Sequence, residues 1–68
     1  MKTEALRWLL TEIKQGNNTL YKLKKLKSSV VQDYLKFALD QGYITWRKDG
    51  KRKVYDLTEK GKGVLEYL

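Results

Sequence analysis

The sequence predicts an α+β domain of three helices, a two-stranded β-hairpin and a C-terminal helix. Apolar residues recur at helical spacing through the N-terminal half of the chain. β-Branched and aromatic residues then flank an Asp49-Gly50 turn signal, and a helical pattern resumes after them. With 68 residues, the chain is long enough for one domain only, covering residues 1–68.

The first helix is predicted from Thr3 to Gln15. Thr3 can serve as its N-cap, and Glu4 places an acid in the first turn. Gly16 follows as a typical helix stop. The inward face of this helix is formed by Leu6, Leu9, Leu10 and Ile13.

Two further helices are predicted before the hairpin. Thr19 can cap the second, and the third runs from Ser29 to Gln41 with Ser28 or Ser29 as its cap and Gly42 as its stop. The inward residues are Leu20, Leu23 and Leu26 on the second helix, and Val31, Leu35 and Ala38 on the third, with Tyr34 on its flank.

The hairpin and the last helix complete the pattern. The strands are predicted over Tyr43–Arg47 and Lys53–Leu57. Thr58 can cap a last helix over Glu59–Leu68, whose apolar edge holds Val64, Leu65 and Leu68. Gly61 and Gly63 are expected to weaken this helix by up to about 1 kcal/mol each relative to alanine. Two short helices, a tight turn and a hairpin together make a winged helix-turn-helix arrangement.

The net charge of +7 is concentrated in two stretches. Five lysines and no acid lie between Lys14 and Gln32, and five cations accompany a single acid between Arg47 and Lys53. These stretches flank the third helix, so they predict double-stranded DNA as the partner. The alternatives are a lysine-rich solubility surface and an acidic membrane surface.

The DNA-binding residues follow from this arrangement. Gln32 can pair with adenine, Asp33 with cytosine and Val30 with a thymine methyl group. The outward face of the third helix carries no Arg, so modest sequence specificity is expected. The alternatives are helix capping for the serines and a helix-dipole role for Asp33. Predicted base contacts are Ser28, Ser29, Val30, Gln32, Asp33 and Lys36; backbone contacts are Tyr21, Lys22, Lys24, Lys25 and Lys27; wing contacts are Arg47, Lys48, Lys51, Arg52 and Lys53.

Other functional classes receive less support. The chain has no His or Cys, so neither a zinc site nor a nucleophile–base pair is expected, and no enzyme, cofactor or small-molecule ligand is predicted. An RNA-binding module would use Tyr21, Tyr43 and Trp46 for stacking. A protein-interaction module is a further alternative, which the basic wing disfavours. No apolar stretch has signal-peptide or membrane-span length, so a cytoplasmic, nucleoid-associated protein is expected.

Residues 19–65 resemble the winged-helix superfamily. The resemblance lies in SVVQDYLKFALDQGYI at residues 29–44, which matches a recognition helix leading into the wing, and in VYDLTEKG at residues 54–61, which matches a "Y-x-LTxKG" signature. Within that superfamily the chain is most similar to small archaeal proteins linked to transcription or chromatin, some of them dimers. The resemblance implies a DNA-binding transcription regulator, or a non-specific architectural protein of the nucleoid.

Several apolar side chains do not fit the inward faces. Trp8, Phe37 and Leu39 fall outside them, and Tyr67 and Leu68 add apolar surface at the C-terminus. These residues predict a homodimer formed through the first and last helices, which would engage two half-sites. The alternative is that Trp8 and Phe37 complete a small core.

Overall fold

The computed structural model describes residues 2–26 and 30–68. In these ranges four helices and a two-stranded antiparallel sheet form an α+β domain, in the order predicted from the sequence. No helix in the described ranges is both long and apolar enough to cross a membrane. The elements are α1 (Thr3–Lys14), α2 (Leu20–Leu26), α3 (Val31–Asp40), β1 (Ile44–Asp49), β2 (Arg52–Leu57) and α4 (Glu59–Tyr67).

The predicted inward faces of α1 and α3 form most of the core. Leu23 of α2 is fully buried among them, and Leu20 is half-buried. Leu26 was also predicted to point inward, but it is 52% exposed. The spacing of apolar residues predicts a face, whereas burial also requires a neighbouring element that reaches it, and Leu26 is the last residue of a short helix. The buried core side chains on α1 and α3 are Leu6, Leu9, Leu10, Ile13, Val31, Leu35 and Ala38.

Trp8 and Phe37 are half-buried and pack against this core. The Trp8 ring meets Tyr34 edge-on, with 6.4 Å between the ring centroids. Phe37 meets Tyr43 in the same way at 6.5 Å. Edge-to-face pairs at these distances are favourable in protein cores. The packing therefore favours a role for Trp8 and Phe37 in completing the core.

Threonine caps begin two of the helices. The Lys22 amide donates to Thr19 Oγ1 at 3.2 Å, and the Gly61 amide donates to Thr58 Oγ1 at 3.0 Å, so both predicted caps are confirmed. The predicted Thr3 cap is wrong, because Thr3 is already helical and the extended N-cap residue is Lys2, with no side-chain cap. Val30 is the N-cap residue of α3. The alternative caps predicted for α3, Ser28 and Ser29, lie outside the described residues.

The hairpin register pairs Ile44 with Leu57 at one end and Asp49 with Arg52 at the other. The turn therefore consists of Gly50 and Lys51, one residue later than predicted. Gly50 has a φ of +63°, and Lys51 has a negative φ. A positive φ at the first turn residue alone is typical of a type II′ turn, which matches the twist of the strands and favours glycine at that position.

A third short segment pairs with the outer edge of β2. Thr19 and Val54 form an antiparallel bridge, and the Tyr55 amide donates to the Asn18 carbonyl oxygen at 2.8 Å. β2 is therefore paired on both sides at this level, and the beginning of α2 is tied to the hairpin. The sequence pattern gave no indication of this bridge, because one paired residue has no periodicity.

Replacing Thr58 with Ala should destabilise the domain by about 0.5–2 kcal/mol, the usual range for loss of a helix cap. Besides capping α4, the Thr58 hydroxyl donates to the Gly42 carbonyl oxygen at 2.6 Å. The free energy of unfolding from urea titration measures the loss. Thr58→Ser keeps both hydrogen bonds and should lie within about 0.5 kcal/mol of wild type. Equal losses in the two variants would contradict the role assigned to the hydroxyl.

Candidate nucleic-acid interface

α2 and β2 border a cleft of about 540 Å³, which we call the α2–β2 cleft. The Thr19–Val54 bridge brings the two elements together at this point. The described residues that line the cleft include three cations and no acid, so its lining has a positive potential. They are Thr19, Leu20, Tyr21, Lys22, Arg52 and Lys53.

A second depression, the α3–β2 groove, has a volume of about 320 Å³. It brings Gln32 and Lys36, on the exposed side of α3, to the same depression as Lys53 of the hairpin. Leu20 and Lys53 line both depressions, so the two form one continuous surface. The described residues lining the groove are Leu20, Gln32, Leu35, Lys36, Leu39, Asp40, Lys53 and Tyr55.

Two of the lysines on or beside this surface lie against aromatic rings. Lys53 Nζ is 4.6 Å from the centroid of the Trp46 ring and 5.6 Å from that of Tyr55. Lys25 Nζ is 4.8 Å from the centroid of Tyr21. A ring face attracts a cation without neutralising its charge. These ammonium groups are therefore positioned by the fold and still available to an anion.

The hairpin cations differ in their partners. Arg47 Nε donates to Asp56 Oδ2 at 2.9 Å, and both side chains are substantially exposed. Such a pair contributes little to stability, but it compensates the charge of Arg47 locally. Among the described residues, no ion pair involves Lys48, Lys51, Arg52 or Lys53. The charges of these four hairpin cations are therefore not compensated by an ion pair within the described part of the chain.

The predicted contact residues separate into three groups. Tyr21, Lys22, Gln32, Lys36, Arg52 and Lys53 line the two depressions. Lys24, Lys25, Asp33, Arg47, Lys48 and Lys51 are exposed but do not line them, and Val30 is half-buried at the start of α3. The remaining predicted contacts, Lys27, Ser28 and Ser29, lie outside the described residues.

Tyr55 lines the groove although it is not among the predicted site residues. The alternation of strand residues places Tyr55 and Lys53 on one face of β2, so the period of two could have identified it. Tyr43, named as a stacking residue, is half-buried against Phe37, and Lys60 Nζ lies 5.3 Å from its ring centroid. Because it is half-buried, the Tyr43 ring is less accessible to a base than the exposed ring of Tyr21.

No protein-family model, curated protein or solved structure matches this chain significantly.

Proposed function

We propose that this chain is a winged helix-turn-helix domain that binds double-stranded DNA. The observation that carries the proposal is the continuous surface on which α2, α3 and β2 meet, with Lys22, Lys36, Arg52 and Lys53 along it and Asp40 as its one described acid. A basic patch to which separate elements contribute cations is typical of a nucleic-acid-binding protein.

The arrangement of elements supports the same proposal. α2 and α3 would form the helix-turn-helix, with α3 in the major groove, and the β1–β2 hairpin would be the wing against the flanking backbone or minor groove. The Thr19–Val54 bridge ties the wing to the beginning of α2. This connection joins the backbone segments that carry the cations of α2 and of the hairpin, which supports contact of both elements with one phosphate backbone.

The lysines and arginines would contact phosphates, and α3 would contact bases. If about six to eight cations neutralise phosphates, the logarithm of the binding constant should fall with the logarithm of salt concentration at a slope of about −5 to −7. Gln32 and Lys36 are exposed one turn apart on α3, within reach of base edges. With no Arg among the exposed residues of α3, modest specificity is expected.

One pair of like-charged hairpin residues also supports an anionic ligand. Lys48 and Lys53 are directly opposite each other in the strand register. Like charges in this position destabilise a hairpin. An anion bound near the two side chains, such as a DNA phosphate, would reduce that repulsion, so the pair supports an anionic ligand for the hairpin.

We propose that the protein is a transcription regulator. Non-specific coating of nucleoid DNA is the second candidate function. The second candidate is favoured by the residues of α3 themselves, because Gln32, Asp33 and Lys36 provide few strong base contacts. The homodimer through α1 and α4 remains a prediction. Of the large apolar side chains described on these two helices, Tyr67 is the one that is mostly exposed.

The test is a titration of fluorescent duplex DNA, of random and genomic sequence, at several salt concentrations. The proposal predicts about micromolar affinity or tighter at low salt, with the steep negative slope given above. Preferential binding to a subset of genomic fragments identifies a regulator, and uniform binding identifies an architectural protein. If no duplex binds at low salt, the proposal is wrong and a protein-interaction role takes its place. Sedimentation equilibrium with and without DNA measures the number of copies bound.

A further inference from the structure

The α2–β2 cleft combines two kinds of chemistry that a duplex backbone alone does not need. Lys22, Arg52 and Lys53 supply positive charge, while Tyr21 and Leu20 supply apolar surface beside it. The volume of about 540 Å³ lies in the range of pockets that hold small organic ligands, roughly 300–1,000 Å³. A ligand that fits this cleft has an anionic group and a flat apolar group close together.

Tyr21 is the aromatic side chain of this cleft that the fold leaves accessible. It is 69% exposed, in contrast to Tyr55, the aromatic residue of the neighbouring groove, which is 5% exposed. The cation of Lys25 lies 4.8 Å from the Tyr21 ring centroid, so the ring is in contact with a charge that also attracts phosphate. An exposed ring beside cations is the usual platform for an unpaired base.

The cations around Tyr21 have N–H donors that a ligand can use. Lys22 Nζ donates to the Gly16 carbonyl oxygen at 3.3 Å, which uses one of the three N–H donors of its ammonium group. Arg52 is exposed on β2 and has a planar guanidinium that can donate two parallel hydrogen bonds to a phosphate. Phosphate and base can therefore be held by different residues of the same cleft.

We propose that the α2–β2 cleft holds one unpaired nucleotide at the end of a DNA duplex. Its base stacks on the Tyr21 ring, and its phosphate lies between Lys22 and Arg52. A base inside a duplex has both faces covered by its neighbours, so only an unpaired base can use the ring. This inference rests on the proposed function, because the same cations would contact the duplex, and it makes a DNA end or junction the preferred substrate.

The experiment compares two DNAs that have the same duplex and the same number of phosphates. One has a short overhang of thymidines, and the other has an overhang of abasic sites. We expect the wild-type protein to bind the thymidine overhang about tenfold more tightly, the usual gain from stacking one base. Because the charges are equal, this ratio isolates the contribution of the base. Equal binding of the two DNAs would overturn the inference.

Three variants test whether the preference for the thymidine overhang depends on the Tyr21 ring. Tyr21→Leu keeps an apolar side chain but removes the ring, so the ratio should fall to about one; a ratio that stays near ten would show that the base lies elsewhere. Tyr21→Phe removes only the hydroxyl and should keep the ratio. Tyr67→Leu is the matched control, because Tyr67 is 93% exposed and lies on α4, outside the cleft.

A blunt duplex measured in parallel separates this inference from the proposed function. If the blunt duplex binds with a steep salt slope and the overhang ratio is one, the inference fails and the proposed function stands. If neither the blunt duplex nor the overhang DNAs bind at low salt, both fail.

Discussion

Reversing two hairpin charges together, as Arg52→Glu with Lys53→Glu, should weaken binding to blunt duplex DNA by about 100-fold at about 0.1 M salt. Both residues line the α2–β2 cleft, and Lys53 also lines the α3–β2 groove. Under the proposed function, the substitutions remove two phosphate contacts and place two carboxylates against the DNA backbone. The slope of log binding constant against log salt should become shallower by about two. Fluorescence anisotropy at several salt concentrations measures both quantities.

The control for this prediction is Lys2→Glu with Arg7→Glu, which changes the net charge of the protein by the same amount. Lys2 and Arg7 are exposed at and near the beginning of α1 and line neither depression. Charges farther from the DNA than about one Debye length, roughly 10 Å at this salt concentration, are largely screened. The control should therefore weaken binding much less than the hairpin variant. Equal losses would mean that net charge, and not this surface, determines binding.

Replacing Gly61 with Ala should destabilise the domain by about 3 kcal/mol or more, the upper end of the range for overpacking. A Cβ atom at Gly61 would overlap the Tyr43 carbonyl oxygen and lie 2.9 Å from its carbonyl carbon. That oxygen already accepts a hydrogen bond from the Thr58 amide at 3.0 Å. The backbone must therefore move apart where α4 begins, and the hydrogen bonds of Thr58 would be disturbed with it. For a domain of this size, the loss is a large share of the total stability.

Gly63, two residues further along α4, is the matched control. A Cβ atom there would meet nothing within 4 Å, so Gly63→Ala should stabilise the helix by about 0.5–1 kcal/mol. The two substitutions are thus expected to change the free energy of unfolding in opposite directions, although both lie on the same helix. Thermal unfolding measures both, and each kcal/mol shifts the midpoint by about 4–8 °C in a domain of this length. Stabilisation by both substitutions would show that α4 does not pack closely on Tyr43.

Local signals in the sequence predicted the secondary structure well. Thr19 and Thr58 were recognised as caps because a capping side chain needs only the residues that follow it. The prediction that Thr3 is the N-cap of α1 was wrong because threonine is also accommodated in the first turn of a helix. The residues around Thr3 do not distinguish these two positions. The turn was predicted one residue too early for a similar reason, because Asp49 fits either a turn or the end of a strand.

Contacts between distant residues could not be predicted. Gly61 and Gly63 are equivalent in the sequence pattern, whereas the close approach of the Tyr43 backbone to Gly61 alone distinguishes them. Four of the predicted cations, Lys22, Lys36, Arg52 and Lys53, line the two depressions, but the ion pair of Arg47 with Asp56 was not anticipated. Nor did the charge pattern indicate that Leu20 and Lys53 would join two depressions into a single surface. Each of these features depends on how the elements pack.

The Thr19–Val54 bridge also has a consequence for folding kinetics. About half of the chain separates the two residues, so forming this pair closes a long loop, a slow step compared with helix formation. The surface shared by α2 and β2 is therefore assembled only when the native topology is complete, and a chain that has formed its helices alone does not yet possess it. A ligand that binds this surface selects the native chain over partly folded ones. By mass action, such a ligand shifts the folding equilibrium of the whole domain towards the native state.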